Sequence, residues 1–271
     1  MSAVFITGAQ TGTGYGIAEQ FAKNGWDVFI TSRRGPDAQK AAETLAATYG
    51  VFAKGYECDI RNEQQVIDIF NDIDKSGVFV QTVVLCAADL GFGTDPSKGM
   101  DFFTVPVEEF GRVFETNLVW NFTIVRQAAL RMREKGKGSI VFISSNTAYN
   151  AIPNRSAYCA SKGGINSLSK ALAVDLGKYG IRSNVVLPGT IKTARWEAMG
   201  SSAISGKLTP IGDISDFDDI ANAVWFFGTD LSKNVCCNDI ISIRGYGRFV
   251  LDEIGSVTRK GRIKITVKKY K

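Results

Sequence analysis

The sequence predicts a single α/β domain, in which a doubly wound parallel sheet of about seven strands is covered by helices on both faces. Short runs rich in Val, Ile and Phe alternate with amphipathic segments of helical length, as in successive β-α-β units. The chain has 271 residues, 45% of them hydrophobic, which is enough to bury one full core. Its longest apolar stretches, such as 83–88, are far shorter than the ~20 residues of a membrane-spanning helix.

Strands and helices are predicted to alternate along the whole chain. The predicted strands are 3–7, 28–31, 51–56, 82–85, 139–143, 182–187 and 239–243. The predicted helices are 14–24, 37–48, 63–74, 107–134, 156–179 and 216–227. In a sheet of this kind, ligands bind beyond the carboxyl ends of the strands, so that edge is where we expect the functional residues.

Residues 1–247 are predicted to form this domain, followed by a basic C-terminal extension, 248–271. Residues 259–271 contain seven Lys or Arg and no acid. Because the formal net charge of the whole chain is only +5, the rest of the chain is slightly acidic. This balance does not favour a nucleic-acid partner for the domain. We interpret the extension as a solvated or subunit-contacting tail that could include a short strand, with a membrane-surface or nucleic-acid role as the alternative.

Several classes of protein are excluded by residue types. The sequence contains no His, which excludes Ser-His-Asp hydrolases and H-E-x-x-H metalloproteases and leaves acid–base chemistry to Tyr, Lys or carboxylates. The five cysteines include no C-x-x-C pair, so no metal site or disulfide framework is predicted, and the adjacent Cys236 and Cys237 are interpreted as packing residues. The first residues carry no charged leader or cleavage site, so we expect a cytoplasmic protein.

A glycine-rich loop follows the first predicted strand. It reads Thr7-Gly8-Ala9-Gln10-Thr11-Gly12-Thr13-Gly14 and opens a predicted helix. Backbone N–H groups and the positive end of a helix suit a pyrophosphate, and glycine lets a ligand approach the main chain. The loop therefore predicts a dinucleotide site in a Rossmann-type sheet, with an ordinary tight turn as the alternative. The predicted contacts are Gly8, Gln10, Thr11, Gly12, Thr13 and Gly14.

A second pattern lies near the start of the predicted helix 156–179. Tyr158 and Lys162 are four residues apart, so they share one helical face and the ammonium can favour the tyrosinate. Ser145 closes the preceding strand. Taken alone, a Tyr and a Lys at this spacing usually form a surface pair.

In combination, these motifs resemble the short-chain dehydrogenase/reductase family, in its shorter single-domain branch. The loop matches T-G-x-x-x-G-x-G, the helix matches Y-x-x-x-K, and Ser145 lies thirteen residues before Tyr158, with Asn117 twenty-eight residues earlier. The resemblance covers residues 3 to about 247. It implies four catalytic residues, Asn117, Ser145, Tyr158 and Lys162.

The resemblance also implies a role for each catalytic residue. In reduction, Tyr158 would protonate a carbonyl oxygen that also accepts a hydrogen bond from Ser145. Lys162 would lower the pKa of Tyr158 and hold the ribose hydroxyls of the nicotinamide, and Asn117 would hold a water that links Lys162 to solvent. Members of the family commonly pair through the helices around 108–134 and 156–179, so we expect a homodimer or homotetramer.

Further cofactor contacts are implied by the same resemblance. The segment 188–193 matches P-G-x-x-x-T, and an acid follows the third predicted strand. The residues concerned are Asp59, Ile60, Cys86, Ala87, Ala88, Pro188, Gly189, Ile191 and Thr193. The chain departs from the family at 86–89, where Cys-Ala-Ala-Asp replaces N-N-A-G and removes hydrogen bonds that steady the loop. It also carries an aromatic insertion after Asp89, and it lacks the family's usual glycine-rich segment after the last strand.

The end of the second predicted strand favours NADP(H) over NAD(H). Arg33 and Arg34 stand where an NAD enzyme usually carries an acid, and their guanidinium groups suit a 2′-phosphate. The sequence therefore predicts hydride transfer between NADP(H) and a small-molecule carbonyl or secondary alcohol. The alternatives are an NAD-dependent polyol or hydroxysteroid dehydrogenase and a non-catalytic cofactor-binding sensor. Candidate substrate contacts are Asn146, Tyr149, Pro153, Trp196, Met199 and the segment 90–104.

Overall fold

The computed structural model describes residues 2–91, 100–193, 213–237 and, as backbone, 239–241. The strands are β1 Ser2–Thr7, β2 Asp27–Ser32, β3 Ala53–Glu57, β4 Phe79–Leu85, β5 Gly138–Ile143, β6 Ile181–Leu187 and β7 Asp239–Ile241. The helices are α1 Gly12–Lys23, α2 Gly35–Tyr49, α3 Glu63–Lys75, α4 Val107–Phe114, α5 Trp120–Lys135, α6 Ser156–Gly177 and α7 Phe217–Gly228. Shorter turns are a π-helical turn, Glu115–Val119, and 3-10 turns at Asn146–Ala148 and Asp230–Ser232.

The seven strands pair in the order β3-β2-β1-β4-β5-β6-β7, and the six described pairings are all parallel. The order reverses between β1 and β4, which creates the crevice in which such sheets bind ligands. The predicted fold class, a doubly wound parallel sheet of about seven strands, is confirmed. The extension 248–271 lies outside the described residues.

Both faces of the sheet are buried because the side chains of each strand alternate between them. Along β1, Val4 and Ile6 pack with α1, α2 and α7, while Ala3 and Phe5 pack with α3, α5 and α6. Phe5 meets Phe70 of α3 with the ring centroids 4.9 Å apart. Strands buried on two faces are near-continuous in apolar residues, which is the pattern that the sequence carries.

The boundaries differ from the predicted ones in a few places. Helix α2 begins at Gly35 rather than at 37 because Pro36 occupies its first turn, where a missing N–H costs nothing. The predicted helix 107–134 is continuous but widens at the π turn, which contains Asn117. Within the described residues, no helix combines the length and the apolar character needed to cross a membrane.

Candidate active site and cofactor cleft

The loop after β1 is tied to the loop after β4 at the point where the strand order reverses. The hydroxyl of Thr7 accepts hydrogen bonds from the N–H groups of Cys86 and Ala87, both at 3.0 Å. Gly8 has φ +66°, and a Cβ there would stand 3.0 Å from the Cα of Ala87. A Cβ on Gly14 would stand 2.5 Å from the carbonyl oxygen of Gly8. Glycine is therefore required at both positions for the loop to fold this tightly.

A cleft of about 850 Å³ opens beyond these loops. Nine of the predicted cofactor contacts line it: Gly8, Gln10, Arg33, Arg34, Asp59, Ile60, Cys86, Ala87 and Ala88. The other eight do not line it: Thr11, Gly12, Thr13 and Gly14 lie at the start of α1, and Pro188, Gly189, Ile191 and Thr193 follow β6. The structure thus gathers residues from the loops after β1, β2, β3 and β4 into one cavity.

The cleft carries more guanidinium groups than the sequence predicted. Besides Arg33 and Arg34, it is lined by Arg61 and Arg112. Arg61 forms an ion pair with Asp59 at 2.6 Å, and its hydrogen bonds lower the pKa of that carboxyl group. No motif in the sequence singles out Arg61 or Arg112, because their position in the cleft depends on how α4 and the loop after β3 pack.

Asp89 anchors the loop that follows β4. Its carboxylate accepts a hydrogen bond from the N–H of Gly91 at 2.8 Å and forms an ion pair with Arg112, which is also bound to Glu109 at 2.7 Å. The family's N-N-A-G hydrogen bonds are missing here, as the sequence indicated. The link to α4 through Asp89 and Arg112 provides a different restraint on the same loop.

The described residues fit a dinucleotide. Thr11 starts α1 in extended backbone without a side-chain cap, so the first N–H groups of the helix are left for a phosphate. The amide oxygen of Gln10 is buried and has no hydrogen-bond partner among the described residues, although Gln10 lines the cleft. A ligand hydroxyl would supply the missing donor, and the guanidinium groups would offset phosphate charge.

Ser145 and Tyr158 meet where β5 ends and α6 begins. Ser145 starts the turn Asn146–Ala148 and accepts a hydrogen bond from the N–H of Thr147 at 3.2 Å. Burial of the ring raises the pKa of Tyr158 to about 12, against the opposing effects of a hydrogen bond with Ser145 and the charge of Arg155. The net shift is opposite to the lowering expected from Lys162, because removal from water dominates.

Lys162 lies beneath Tyr158 on the same helix and is 3% exposed. Its Nζ donates to the carbonyl oxygen of Ile143 at 2.7 Å and lies 5.6 Å from the centroid of the Tyr158 ring. Burial lowers the pKa of Lys162 to about 8. An ammonium has three donors, so hydrogen-bonding capacity remains beyond the bond to Ile143.

Asn117 joins the loop after β4 to α6. Its amide nitrogen donates to the carbonyl oxygen of Asp89 at 2.8 Å and to the hydroxyl of Ser161 at 3.0 Å, and its amide oxygen accepts from the N–H of Asp89 at 2.7 Å. Both amide hydrogens are therefore used within the protein. A π turn at a functional site is a recurrent feature, and here it directs Asn117 inward. The predicted water-holding role remains a prediction.

The proposed substrate contacts are only partly described. Asn146 is buried beside Ser145, whereas Tyr149 is half exposed and Pro153 is exposed. Met100 and Gly91, both within the predicted insertion, pack close to Tyr158. Phe102 and Phe103 are exposed at the surface. Trp196, Met199 and the segment 92–99 lie outside the described residues.

Comparison with known proteins decides the family. The family model described as "Enoyl-(Acyl carrier protein) reductase" matches residues 8–246. The chain belongs to the short-chain dehydrogenase/reductase family. The resemblance drawn from the two motifs is thereby confirmed, and the chain is an oxidoreductase of a family that binds nicotinamide cofactors.

Relatives named for different activities match over most of their length. A 3alpha-hydroxysteroid dehydrogenase of Mediterraneibacter gnavus is 29% identical over 246 residues, 90% of this chain and 95% of the relative. An NADP-dependent (R)-specific alcohol dehydrogenase of Lentilactobacillus kefiri is 31% identical over 247 residues, 89% and 94% of the two chains. The crystal structure of a 3-oxoacyl-[acyl-carrier protein] reductase with bound NAD from Brucella melitensis has a TM-score of 0.80 and 27% identity, covering 91% of each chain.

Proposed function

We propose that this short-chain dehydrogenase/reductase transfers a hydride between NADP(H) and a carbonyl or secondary alcohol, with Tyr158 as general acid in reduction and general base in oxidation. The observation that carries the proposal is the cluster of Tyr158, Ser145 and Lys162 at the end of β5, next to the arginine-rich cleft. Perturbed titratable groups beside a large cleft are typical of catalytic sites.

The proton in reduction comes from the phenol of Tyr158. A pKa of about 12 keeps the hydroxyl protonated at neutral pH, so it can donate to the carbonyl oxygen as negative charge develops there. Ser145 donates a hydrogen bond to the same oxygen. Once Tyr158 has lost its proton, the adjacent ammonium of Lys162 offsets the phenolate charge. When bound, the nicotinamide cofactor supplies the hydride in reduction and accepts it in oxidation.

The preference for NADP(H) rests on the charge of the cleft beside β2. Arg33 and Arg34 line it directly after the strand, and the sequence has no acid between Asp27 and Asp37. Arg34 forms an ion pair with Asp37 at 2.6 Å, which a 2′-phosphate would compete for. The alcohol dehydrogenase relative is NADP-dependent by name, which supports the proposal.

The second candidate is an NAD-dependent polyol or hydroxysteroid dehydrogenase. The hydroxysteroid dehydrogenase relative and the solved reductase with bound NAD favour it. A panel of ketones and alcohols, followed by nicotinamide absorbance with both cofactors, separates the two candidates. The first predicts reduction with NADPH, and the second predicts oxidation with NAD.

Substitution of Tyr158 tests the chemistry. Tyr158→Phe removes the acidic proton and retains the ring, so turnover should fall by about 10²–10⁴-fold while NADPH binding is unchanged. Steady-state kinetics and a fluorescence titration of NADPH measure the two effects. Activity within about tenfold of the parent would refute the role of Tyr158 as general acid.

A further inference from the structure

The hydroxyl of Ser145 receives two hydrogen bonds from a single residue, Thr147. The N–H of Thr147 donates to Ser145 Oγ at 3.2 Å, and the Thr147 hydroxyl donates to the same atom at 2.9 Å. Both residues are buried, with 8% and 9% of their surfaces exposed. The short turn Asn146–Ala148 folds Thr147 back over Ser145 and brings these groups together.

A hydroxyl group has one proton and can accept two hydrogen bonds. Since Thr147 fills both acceptor positions, Ser145 can only donate in its remaining direction. One acceptor within reach is the amide oxygen of Asn146, at the long distance of 3.4 Å. The other is the hydroxyl of Tyr158, whose pKa is lowered by its interaction with Ser145. The Ser145 proton is thus directed toward the phenol and toward the oxygen that Tyr158 protonates.

We propose that Thr147 is a positioning residue that holds Ser145 as a hydrogen-bond donor at the reacting oxygen. The inference rests on the proposed function, because it assigns a direction to the hydrogen bond of Ser145 in that reaction. Without the Thr147 hydroxyl, one acceptor position of Ser145 becomes free. Ser145 can then accept the proton of Tyr158, which ties up the acid in reduction and favours the neutral phenol over the phenolate that acts as base in oxidation.

The test compares Thr147→Val with Thr147→Ser. Valine has nearly the shape of threonine but lacks its hydroxyl, whereas serine keeps the hydroxyl, so only Thr147→Val should impair the chemistry. We expect kcat to fall about tenfold or more in Thr147→Val, with the Kd for NADPH within about twofold of the parent, and Thr147→Ser to stay within about threefold in kcat. The control is Thr229→Val, which removes a buried hydroxyl bonded to Trp225 O at 2.9 Å, outside the site.

The pH profile of alcohol oxidation gives a readout that a loss of stability alone would not move. The phenolate is the base in this direction. The hydrogen bond that the neutral phenol gains by donating to Ser145 should therefore shift the pH at which kcat is half-maximal upward in Thr147→Val and leave it in place in Thr147→Ser and Thr229→Val. The titratable and charged groups around Tyr158 are Cys86, Arg155, Cys159 and Lys162, and these variants keep all four.

Each outcome decides the proposal. It is overturned if Thr147→Val keeps kcat within twofold, if Thr147→Ser is equally impaired, or if the loss appears only in cofactor binding with an unchanged pH profile. Should Thr147→Val not fold, Thr147→Ala against Thr147→Ser isolates the hydroxyl in the same way. The proposed function fails by different results: the parent enzyme shows no turnover, or Tyr158→Phe retains turnover. Absence of turnover in the parent would also remove the basis for the inference about Thr147.

Discussion

The ammonium of Lys162 is held in a buried site that makes its charge sensitive to pH. Burial lowers its pKa to about 8, so the side chain is protonated below that pH and becomes neutral as the pH rises through it. The neighbouring thiol of Cys86 and phenol of Tyr158 have pKa values raised by burial to about 11 and about 12. Lys162 is therefore a group beside Tyr158 whose charge changes as the pH rises through about 8.

We predict that NADPH binding weakens above pH 8. The protonated ammonium attracts the negatively charged cofactor, so the Kd should be constant below the pKa of Lys162 in the free protein. Above that pKa, the Kd should rise by up to about tenfold per pH unit, until the pKa of Lys162 in the complex is reached. Fluorescence titration of NADPH on both sides of pH 8 measures the effect. Lys162→Met should bind more weakly with little dependence on pH, and a parent Kd that is flat to pH 10 would rule out the assigned role.

Residue identity and spacing were sufficient to find the catalytic cluster, but not the groups that orient it. Tyr158, Lys162 and Ser145 were predicted from local motifs and one fixed separation, and the structure brings them together. Arg112 was missed because its partner Asp89 lies 23 residues away, with an insertion between them. Pairs of this kind depend on how two elements pack, which a single sequence does not record.

At the scale of elements, the loop after β4 depends on its link to α4. The carboxylate of Asp89 accepts a hydrogen bond from the N–H of Gly91 and forms an ion pair with Arg112. Asn117, in the π turn, forms hydrogen bonds with the backbone of Asp89. Ala87 and Ala88 in this loop line the cleft. The loop thus presents small residues to the cleft, while Asp89, which follows them, restrains the loop through its link to α4.

Arg112→Gln should weaken cofactor binding by loosening this loop. The substitution leaves the partly buried carboxylate of Asp89 without its guanidinium, and we expect the Kd for NADPH to rise about three- to tenfold with a small drop in Tm. The control is Arg131→Gln, which removes an ion pair with Asp74 between α5 and α3, away from the cleft. Equal effects of the two variants on Kd would show that the Asp89 link has no special role.

The end of β2 should decide the choice of cofactor. We predict that kcat/KM for NADPH exceeds that for NADH by at least about tenfold, or about 1.4 kcal/mol. The guanidinium groups of Arg33 and Arg34 line the cleft and would attract a 2′-phosphate, whereas a carboxylate at the end of β2 would repel it. In an Arg33→Asp, Arg34→Ala double variant the preference should shrink or reverse, while Arg131→Gln should keep it. Equal or better use of NADH by the parent would overturn the preference and favour the NAD-dependent candidate.

At the scale of the whole molecule, the alternation of strands and helices predicted the layers and the position of the site. The apolar runs of β1, β4 and β5 required a sheet covered on both faces, and that arrangement places their carboxyl ends at one edge. Helix boundaries were harder to predict from the sequence, because Pro36 and the π turn at Asn117 alter the backbone locally. The sequence did not predict the strand order, which follows from the pairings of β1 with β2 and β4 in the structure.

The outer face of α5 and α6 is an apolar groove, which supports our proposal of a homo-oligomer. The groove is lined by Phe122, Val125, Leu130, Leu172, Leu176 and Tyr179, among others, and has a volume of about 260 Å³. Phe122 and Leu130 remain 46% and 43% exposed, and Val174 on α6 is 77% exposed. A contiguous apolar patch on paired helices is typical of a subunit interface, and a two-fold axis would place each groove against its counterpart.

We therefore predict that the chain is a dimer or tetramer in solution. Leu130→Asp combined with Val174→Asp should shift it toward the monomer, because burying two unpaired carboxylates at the interface is unfavourable. Light scattering at micromolar concentration measures the mass against the 29.4 kDa of one chain. Leu231→Asp is the matched control, since Leu231 is 67% exposed in the 3-10 turn after α7 and does not line the groove. A parent of monomeric mass would contradict the prediction, and a double variant that keeps the parent's mass would place the interface elsewhere.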